Sequence, residues 1–303
     1  MKKQTFANLM MLGGAVIWGA AFVAQSIGAD HVGPFAFGGI RFLLGALVVL
    51  PVQRLRDRKK PRGWDKAPTW EYVRAGGICG AVLFAAAAFQ QYGVGRTTVG
   101  KAGFVTALYI ILVPLFAFAL YRRRLGGRVI AAAATAVAGI YLLCMTSGTF
   151  SVSTGDVYVF IGSVFWAVQI LMIERFTADL DGLKFAFAQF ISCAAINLVC
   201  MALFERPALS DILAAAPALL YCGLLSVGVA FTIQAVFMKY TEPTVASLMM
   251  SAESVFSAIF GFLILHETLT ARQLFGCVLV FCAVVLAQLP QRRDARPAAP
   301  AQM

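Results

Sequence analysis

KAGFVTALYIILVPLFAFALYRRRL, residues 101–125, and VASLMMSAESVFSAIFGFLILHETL, residues 245–269, are the two segments that decide the fold of this chain. At a shift of 144 positions, Phe116 of the first segment falls on Phe260 of the second. Each apolar run is long enough to cross a bilayer, because about 20 residues at about 1.5 Å per residue cover about 30 Å. The first run ends in three arginines, whereas the second ends in His-Glu-Thr. Because Lys and Arg collect on cytoplasmic loops, this contrast predicts two copies that cross the membrane in opposite directions.

The composition is typical of a polytopic membrane protein. Hydrophobic residues make up 60% of the 303 residues, charged residues make up 13%, and the mean hydropathy is +0.82. One soluble core cannot bury that much apolar surface. The net charge of +11 comes from basic residues in short loops, so it indicates membrane orientation and argues against nucleic-acid binding. The seven cysteines lie in apolar runs without metal-binding spacing, and we expect them to be packing residues.

Ten apolar spans are predicted, and the first is expected to be an uncleaved helix because further spans follow it. With the N-terminus inside, 20 of the 25 Lys and Arg residues face the cytoplasm, and both termini lie there. The end of the chain, 290–303, is rich in Pro and Ala and is expected to be a disordered cytoplasmic tail. The predicted fold class is an all-α integral membrane protein with spans at 8–29, 35–53, 73–93, 98–120, 128–146, 155–174, 184–204, 215–237, 244–265 and 272–289.

The internal repeat extends beyond the two opening segments. A shift of 148 pairs Trp18 with Trp166, and a shift of 144 pairs Gln90 with Gln234. Each half contains five predicted spans, an odd number, so the second half must enter the membrane the other way up. The sequence therefore predicts ten transmembrane helices arranged as two inverted five-helix repeats, at residues 1–146 and 155–289.

Several short motifs follow one another along residues 8–289. They are Trp18, Arg41-Phe42, Lys101–Tyr109 with Val113-Pro114, Glu253, and Glu267–Thr270. In this order they resemble the drug/metabolite transporter superfamily and its EamA branch. The family often has proline where this chain has Ile110 and Ser254, so no proline kink is implied at those two points. The resemblance implies a ten-helix secondary carrier of small organic solutes.

Three ionisable residues lie within or at the edge of the predicted spans: Arg41, Lys101 and Glu253. Charges at such depth usually face the interior of the helix bundle or a wet cavity. One hypothesis is a polar pocket in which the two cations meet a substrate carboxylate, while Glu253 binds an amine or exchanges a proton. The alternative is a permanent ion pair that only fixes helix packing. Lys101 lies near a helix end, where its side chain can also reach water.

Further polar and aromatic side chains are predicted to line the same cavity: Tyr109, Trp18, Trp166, Gln90 and Gln234. The two tryptophans lie too deep in their spans for an interfacial belt, and packing is the alternative for both. Each amide, like the further amides of Gln169, Gln189 and Asn197, can equally serve as an interhelical hydrogen-bond partner. The spacing Gly76-x-x-x-Gly80 predicts a close approach of two helices.

These observations predict a secondary active transporter in the cell (inner) membrane, an exporter of small organic metabolites such as amino acids or related solutes. Neither a nucleotide-binding domain nor a catalytic motif is recognisable, so we predict no cofactor, no metal and no enzymatic activity, and transport is expected to run on gradients. The expected partners are a small-molecule substrate and the lipid bilayer; a homodimer is left open. A lipid-modifying enzyme would require an acid–base or metal cluster near one interface, and a receptor or scaffold would require large ordered loops.

Overall fold

The computed structural model describes residues 2–61, 63–122, 126–144, 153–267 and 270–288, and the predicted tail at 290–303 lies outside them. Within the described residues the chain is helical and contains no strand. A π-helical segment, Tyr221–Phe231, separates α10 from α11, and a short 3₁₀ turn, Met238–Tyr240, follows α11. The α-helices are α1 (Lys2–Ala29), α2 (Pro34–Arg58), α3 (Thr69–Val94), α4 (Val99–Ala107), α5 (Tyr109–Tyr121), α6 (Gly127–Cys144), α7 (Thr154–Thr177), α8 (Gly182–Phe204), α9 (Leu209–Ala214), α10 (Ala216–Leu220), α11 (Thr232–Phe237), α12 (Pro243–Met250), α13 (Glu253–Leu265) and α14 (Ala271–Gln288).

Eight helical stretches, counted over the described part of the chain, are long and apolar enough to cross a membrane. Three of them combine consecutive helices: Val99–Leu120 covers α4 and most of α5, Ala216–Tyr240 runs from α10 past α11, and Pro243–Leu265 covers α12 and α13. The helices α6 and α14 contain the shorter apolar stretches Ile130–Gly139 and Leu274–Ala283. The protein is therefore an all-helical multi-pass membrane protein, and the count of ten crossings stays a prediction.

The helix bounds recur along the chain at the offsets seen in the sequence. The helices α6 and α14 have the same length, begin 144 residues apart and pack against each other. Arg122 and His266, also 144 residues apart, follow α5 and α13 with left-handed backbone, at φ of 52° and 57°. The helix α3 packs on α7 and α8, and the segment Tyr221–Phe231 packs on α1 and α2. Corresponding helices thus make corresponding contacts, while the inverted orientation of the halves stays a prediction.

Two spans are interrupted near their middle, at corresponding positions. The helix α4 gives way to α5 at Leu108, and α12 gives way to α13 after Met250. At both points the backbone tightens into three-residue turns; Ser254 N, for example, donates to Ser251 O at 3.1 Å. The interruption forms although Ile110 and Ser254 occupy the positions where the family that the sequence resembles often has proline. As a result, Tyr109 and Glu253 each begin a new helix inside a span.

The predicted close approach of two helices at Gly76 and Gly80 is confirmed. A Cβ atom added to Gly76 would collide with Ala188, and one added to Gly80 would lie 2.7 Å from the Cβ of Ser192. Both partners belong to α8, so α3 and α8 approach so closely that only glycine fits at these positions. Small residues allow this kind of packing between membrane helices.

An ionic network joins α2 and α8 to the connection between α2 and α3. Arg56 donates two hydrogen bonds to the carboxylate of Asp181, at 2.9 and 2.7 Å. Lys184 Nζ lies 2.6 Å from Asp65 Oδ2, to which the Tyr72 hydroxyl also donates at 2.9 Å. Burial alone would raise the pKa of Asp65, but the bonds from Lys184 and Tyr72 outweigh it and hold that pKa below its ordinary value. The connection is therefore fixed to the helix ends rather than free.

Candidate solute site

One cavity between helices of both halves contains seven of the eight predicted site residues. Its volume is about 470 Å³, including the part that is open at its mouth. The predicted residues that line it are Trp18, Arg41, Gln90, Tyr109, Trp166, Gln234 and Glu253.

The wall of the cavity is built largely from corresponding positions of the two halves. Five pairs related by the offsets of 148 or 144 line it together: Trp18 with Trp166, Phe22 with Ile170, Gln90 with Gln234, Thr106 with Met250, and Tyr109 with Glu253. The sequence reasoning missed two of these pairs. Their members lie one helical turn from a predicted tryptophan, from Tyr109 or from Glu253, so the offset combined with helical spacing would have found them.

At the remaining four wall residues the two halves of the protein differ. They are Gln25, Arg41, Ser226 and Phe231, and the corresponding positions hold Ile173, Gln189, Val82 and Ala87. Two of the four lie in the π-helical segment, whose presence the sequence pattern did not indicate. The single guanidinium of the wall is therefore present on one half only.

Glu253 begins α13 and is only 5% exposed. The Tyr109 hydroxyl donates a hydrogen bond to Glu253 Oε1 at 2.9 Å, so two corresponding residues of the halves contact each other. Among the residues that the structure describes, no cation lies within ion-pair distance of this carboxylate. A buried carboxylate with one hydroxyl donor has acceptor capacity to spare, so it can take a proton or a cationic group.

Arg41 lies in α2 and is only 2% exposed. Its guanidinium carbon lies 5.4 Å from the ring centroid of Phe37 and 5.1 Å from that of Phe42. Its Nε atom has no hydrogen-bond partner, and no carboxylate of the described chain is within ion-pair distance. A permanent ion pair between Arg41 and Glu253, the alternative drawn from the sequence, is therefore not what the structure shows. The guanidinium lies against two aromatic rings and the thiol of Cys222, and its Nε–H group is left unpaired.

The prediction that Lys101 shares this cavity is wrong. Lys101 Nζ lies 3.0 Å from Asp156 Oδ2, and the Thr97 hydroxyl donates to the other oxygen of that carboxylate at 2.6 Å. Asp156 also closes a capping box with Ser153 at the start of α7. Lys101 thus ties the start of α4 to the start of α7. The sequence reasoning missed this partner because Asp156 lies at the edge of its span, 55 positions away.

Aromatic rings form the apolar part of the wall. The rings of Trp166 and Phe231 are stacked with centroids 5.5 Å apart, and Trp18 lies 5.0 Å from Phe231. Both indole N–H groups lack a hydrogen-bond partner within the described structure, as do Gln25 Oε1 and Gln234 Oε1. Unpaired buried donors and acceptors around an apolar cavity are the polar positions that orient a small ligand or hold water.

Some of the predicted amides also bridge helices. Gln90 Nε2 donates to Thr106 Oγ1 at 3.2 Å, and Gln234 Nε2 donates to Gln169 Oε1 at 3.4 Å. Gln189 is not among the residues of the wall; its Oε1 accepts from the thiol of Cys79 at 3.4 Å. Gln90 and Gln234 therefore face the cavity and join helices as well, while their binding of a solute stays a prediction.

Membrane-spanning helices around a cavity lined with polar and aromatic side chains are the architecture of a membrane transporter. The model of the EamA-like transporter family matches the chain over residues 5–145 and again over residues 153–289. The chain belongs to this family.

Relatives of similar length come from different groups of organisms. The chain is 28% identical to an uncharacterized transporter of Archaeoglobus fulgidus, over 95% of this chain and 87% of the relative. It is 24% identical to the uncharacterized inner membrane transporter YedA of Escherichia coli K12, over 94% and 92% of the two chains. A solved crystal structure superposes with a TM-score of 0.74 at 23% identity, over 94% of this chain and 97% of the other. At that identity the superposition shows a shared fold.

Proposed function

We propose that this transporter is a secondary carrier that moves small organic solutes bearing a carboxylate, amino acids among them, by alternating access. The observation that carries the proposal is one cavity, lined by both halves, whose wall combines an Arg41 guanidinium free of any carboxylate in the described chain with a buried Glu253 carboxylate. Two inverted halves can exchange conformations and expose one central site to each side in turn. The match of one family model to both parts of the chain supports this arrangement.

Each part of the solute has a complementary group in the cavity. The Arg41 guanidinium presents a planar fork to a carboxylate. Glu253 takes the ammonium group of an amino acid or, alternatively, the proton that drives transport. The apolar body of the solute lies against the rings of Trp18, Trp166 and Phe231. We propose that the solute is carried out of the cell.

Alternating access requires contacts that close each end of the cavity. At one end the Thr97 hydroxyl donates to Asp156, which also pairs with Lys101. The corresponding positions, Thr241 and Asn8, form a neutral hydrogen bond of 2.9 Å from hydroxyl to amide oxygen. We infer that these are the outer and the inner closing contacts. The outer contact contains an ion pair and the inner contact does not, so the free energy needed to open the cavity differs between the two ends.

Lys101→Met is expected to open the outer end more often. A partly buried ion pair contributes about 1 kcal/mol, so access to the cavity from outside should rise about fivefold. The measurement is the rate at which a membrane-impermeant thiol reagent labels Thr106→Cys from outside, with the parent chain giving the background of the native cysteines. Thr241→Val is the matched control, since it removes the inner contact and should not raise outside labelling. An unchanged rate in Lys101→Met would contradict the assignment.

Both termini are expected in the cytoplasm, because 20 of the 25 basic residues then lie on that side. Reporter proteins fused at residue 3 and after residue 296 should both be active as cytoplasmic reporters. A periplasmic signal from either fusion would contradict the ten-crossing arrangement and the inverted repeat together.

The solute itself is found by comparing the metabolites in the medium of cells with and without the protein. Export predicts that one or a few carboxylate-bearing solutes accumulate outside only when the protein is present. A change confined to membrane lipids would instead favour a lipid-modifying enzyme.

A further inference from the structure

A second, polar pocket lies beside the connection between α1 and α2 and the last turns of α3. Asp30 and His31 form one side of it, and Gln91, Tyr92 and Arg96 form the other. It lies at the end of α2 opposite to the ionic network of Arg56 and Lys184, which places it on the outer face in the proposed orientation. We call it the outer pocket.

The outer pocket and the central cavity share a wall. Gln91 is only 2% exposed, and its Nε2 donates to the backbone oxygen of Gln25 at 2.9 Å. Gln25, 4% exposed, lines the central cavity. The Oε1 atoms of both side chains lack a hydrogen-bond partner among the described atoms. Two buried amide side chains therefore lie between the outer pocket and the central cavity, and the oxygen of each amide has no hydrogen-bond partner among the described atoms.

Opposite charges face the outer pocket without pairing. Arg96 Nη1 donates to Tyr92 O at 2.8 Å, and its guanidinium carbon lies 3.7 Å from the centroid of the Tyr92 ring. These contacts hold the guanidinium beside the end of α3. Asp30 lies on the other side, and the described residues contain no ion pair between the two. Separated opposite charges next to a free amide acceptor are complementary to a solute that carries both a carboxylate and an ammonium group.

We propose that the outer pocket is a second binding subsite on the transport path, for amino acids and similar zwitterionic solutes. Arg96 binds the carboxylate. Gln91 is the positioning residue, because its side chain lies between the subsite and the central cavity and the solute passes it on the way from one to the other. The proposal rests on the proposed transport function and adds a position at which the solute binds on the outer side of the central cavity.

Thiol labelling from outside tests the subsite without relying on transport. Gln91→Cys should react with the anionic sulfonatoethyl methanethiosulfonate about tenfold faster than with the cationic trimethylammonium analogue, after correction for their intrinsic reactivities. Arg96→Gln should remove this preference. Arg206→Gln, an exposed arginine just after α8, is the matched control and should leave it unchanged. His31→Cys serves as a second reporter that keeps Gln91 in place.

A mixture of the twenty common amino acids, added outside, should slow the labelling of Gln91→Cys and of His31→Cys severalfold. Gln91→Leu should reduce amino-acid flux in vesicles severalfold while binding to the central cavity is retained. Wild-type flux without any protection of these two positions would overturn the subsite and leave the proposed function intact. Absence of flux in the wild-type protein would instead contradict the proposed function, whatever the labelling shows.

Discussion

Replacing Glu253 with Gln is expected to reduce net, gradient-driven transport to background, while exchange of solute across the membrane continues. Gln keeps the shape of the protonated side chain, but it can neither release a proton nor carry a negative charge. The carboxylate is buried, begins α13 and accepts from Tyr109 at 2.9 Å, so a charge there is costly unless a proton or a cationic group neutralises it. If Glu253 exchanges protons, a fixed neutral group uncouples the solute from the gradient.

Vesicles with an imposed pH gradient separate the two activities, because net flux and exchange of labelled solute are measured in the same preparation. Glu242→Gln is the matched control, since Glu242 is an exposed residue at the start of α12 in the same half. A Glu253→Gln protein with the wild-type rate and the wild-type pH dependence would contradict the coupling role. A variant that is absent from the membrane would show that Glu253 chiefly stabilises packing, and Tyr109→Phe then tests the hydrogen bond alone.

Arg41→Lys is expected to weaken solute binding about tenfold to a hundredfold, while the amount of protein in the membrane holds. The charge remains, but the planar fork that binds a carboxylate through two hydrogen bonds is lost, and such bonds contribute about 1.5–3 kcal/mol. Phe37 and Phe42 hold the guanidinium in place, and a flexible ammonium would not be oriented by them in the same way.

A matched set of solutes locates this effect: an amino acid, the amine that lacks its carboxylate, and the acid that lacks its amine. Arg41→Lys should weaken binding of the amino acid and of the acid but not of the amine. Arg175→Lys, the same substitution at an exposed site in α7, should weaken none of them. Equal losses for all three solutes, or a protein level that falls together with transport, would assign Arg41 a structural role.

The repeat made much of the site predictable. Two offsets pair Trp18 with Trp166, Gln90 with Gln234, and Tyr109 with Glu253, and the structure brings all six to one cavity. This follows from the packing, because corresponding helices make corresponding contacts on either side of the cavity. Arg41 and Glu253 were singled out by the cost of a charge inside an apolar span.

Other parts depended on contacts that periodicity does not encode. The partner of Lys101 is Asp156, at the start of a helix in the other half, and no local pattern connects the two. Ser226 and Phe231 lie in a π-helical segment, where the wider turn changes which side chains face inward. The interruption between α12 and α13 forms without a proline, so its usual signal in the sequence was missing.

Solute flux in vesicles that contain only the purified protein tests the central claim most directly. The solute found in the medium of producing cells is loaded inside, and its appearance outside is followed with and without an ion gradient. The account predicts saturable flux that depends on the protein, accelerates with the gradient and falls to background in a variant combining Arg41→Lys with Glu253→Gln. Flux equal to that of protein-free vesicles, or flux that the double variant leaves unchanged, would contradict it.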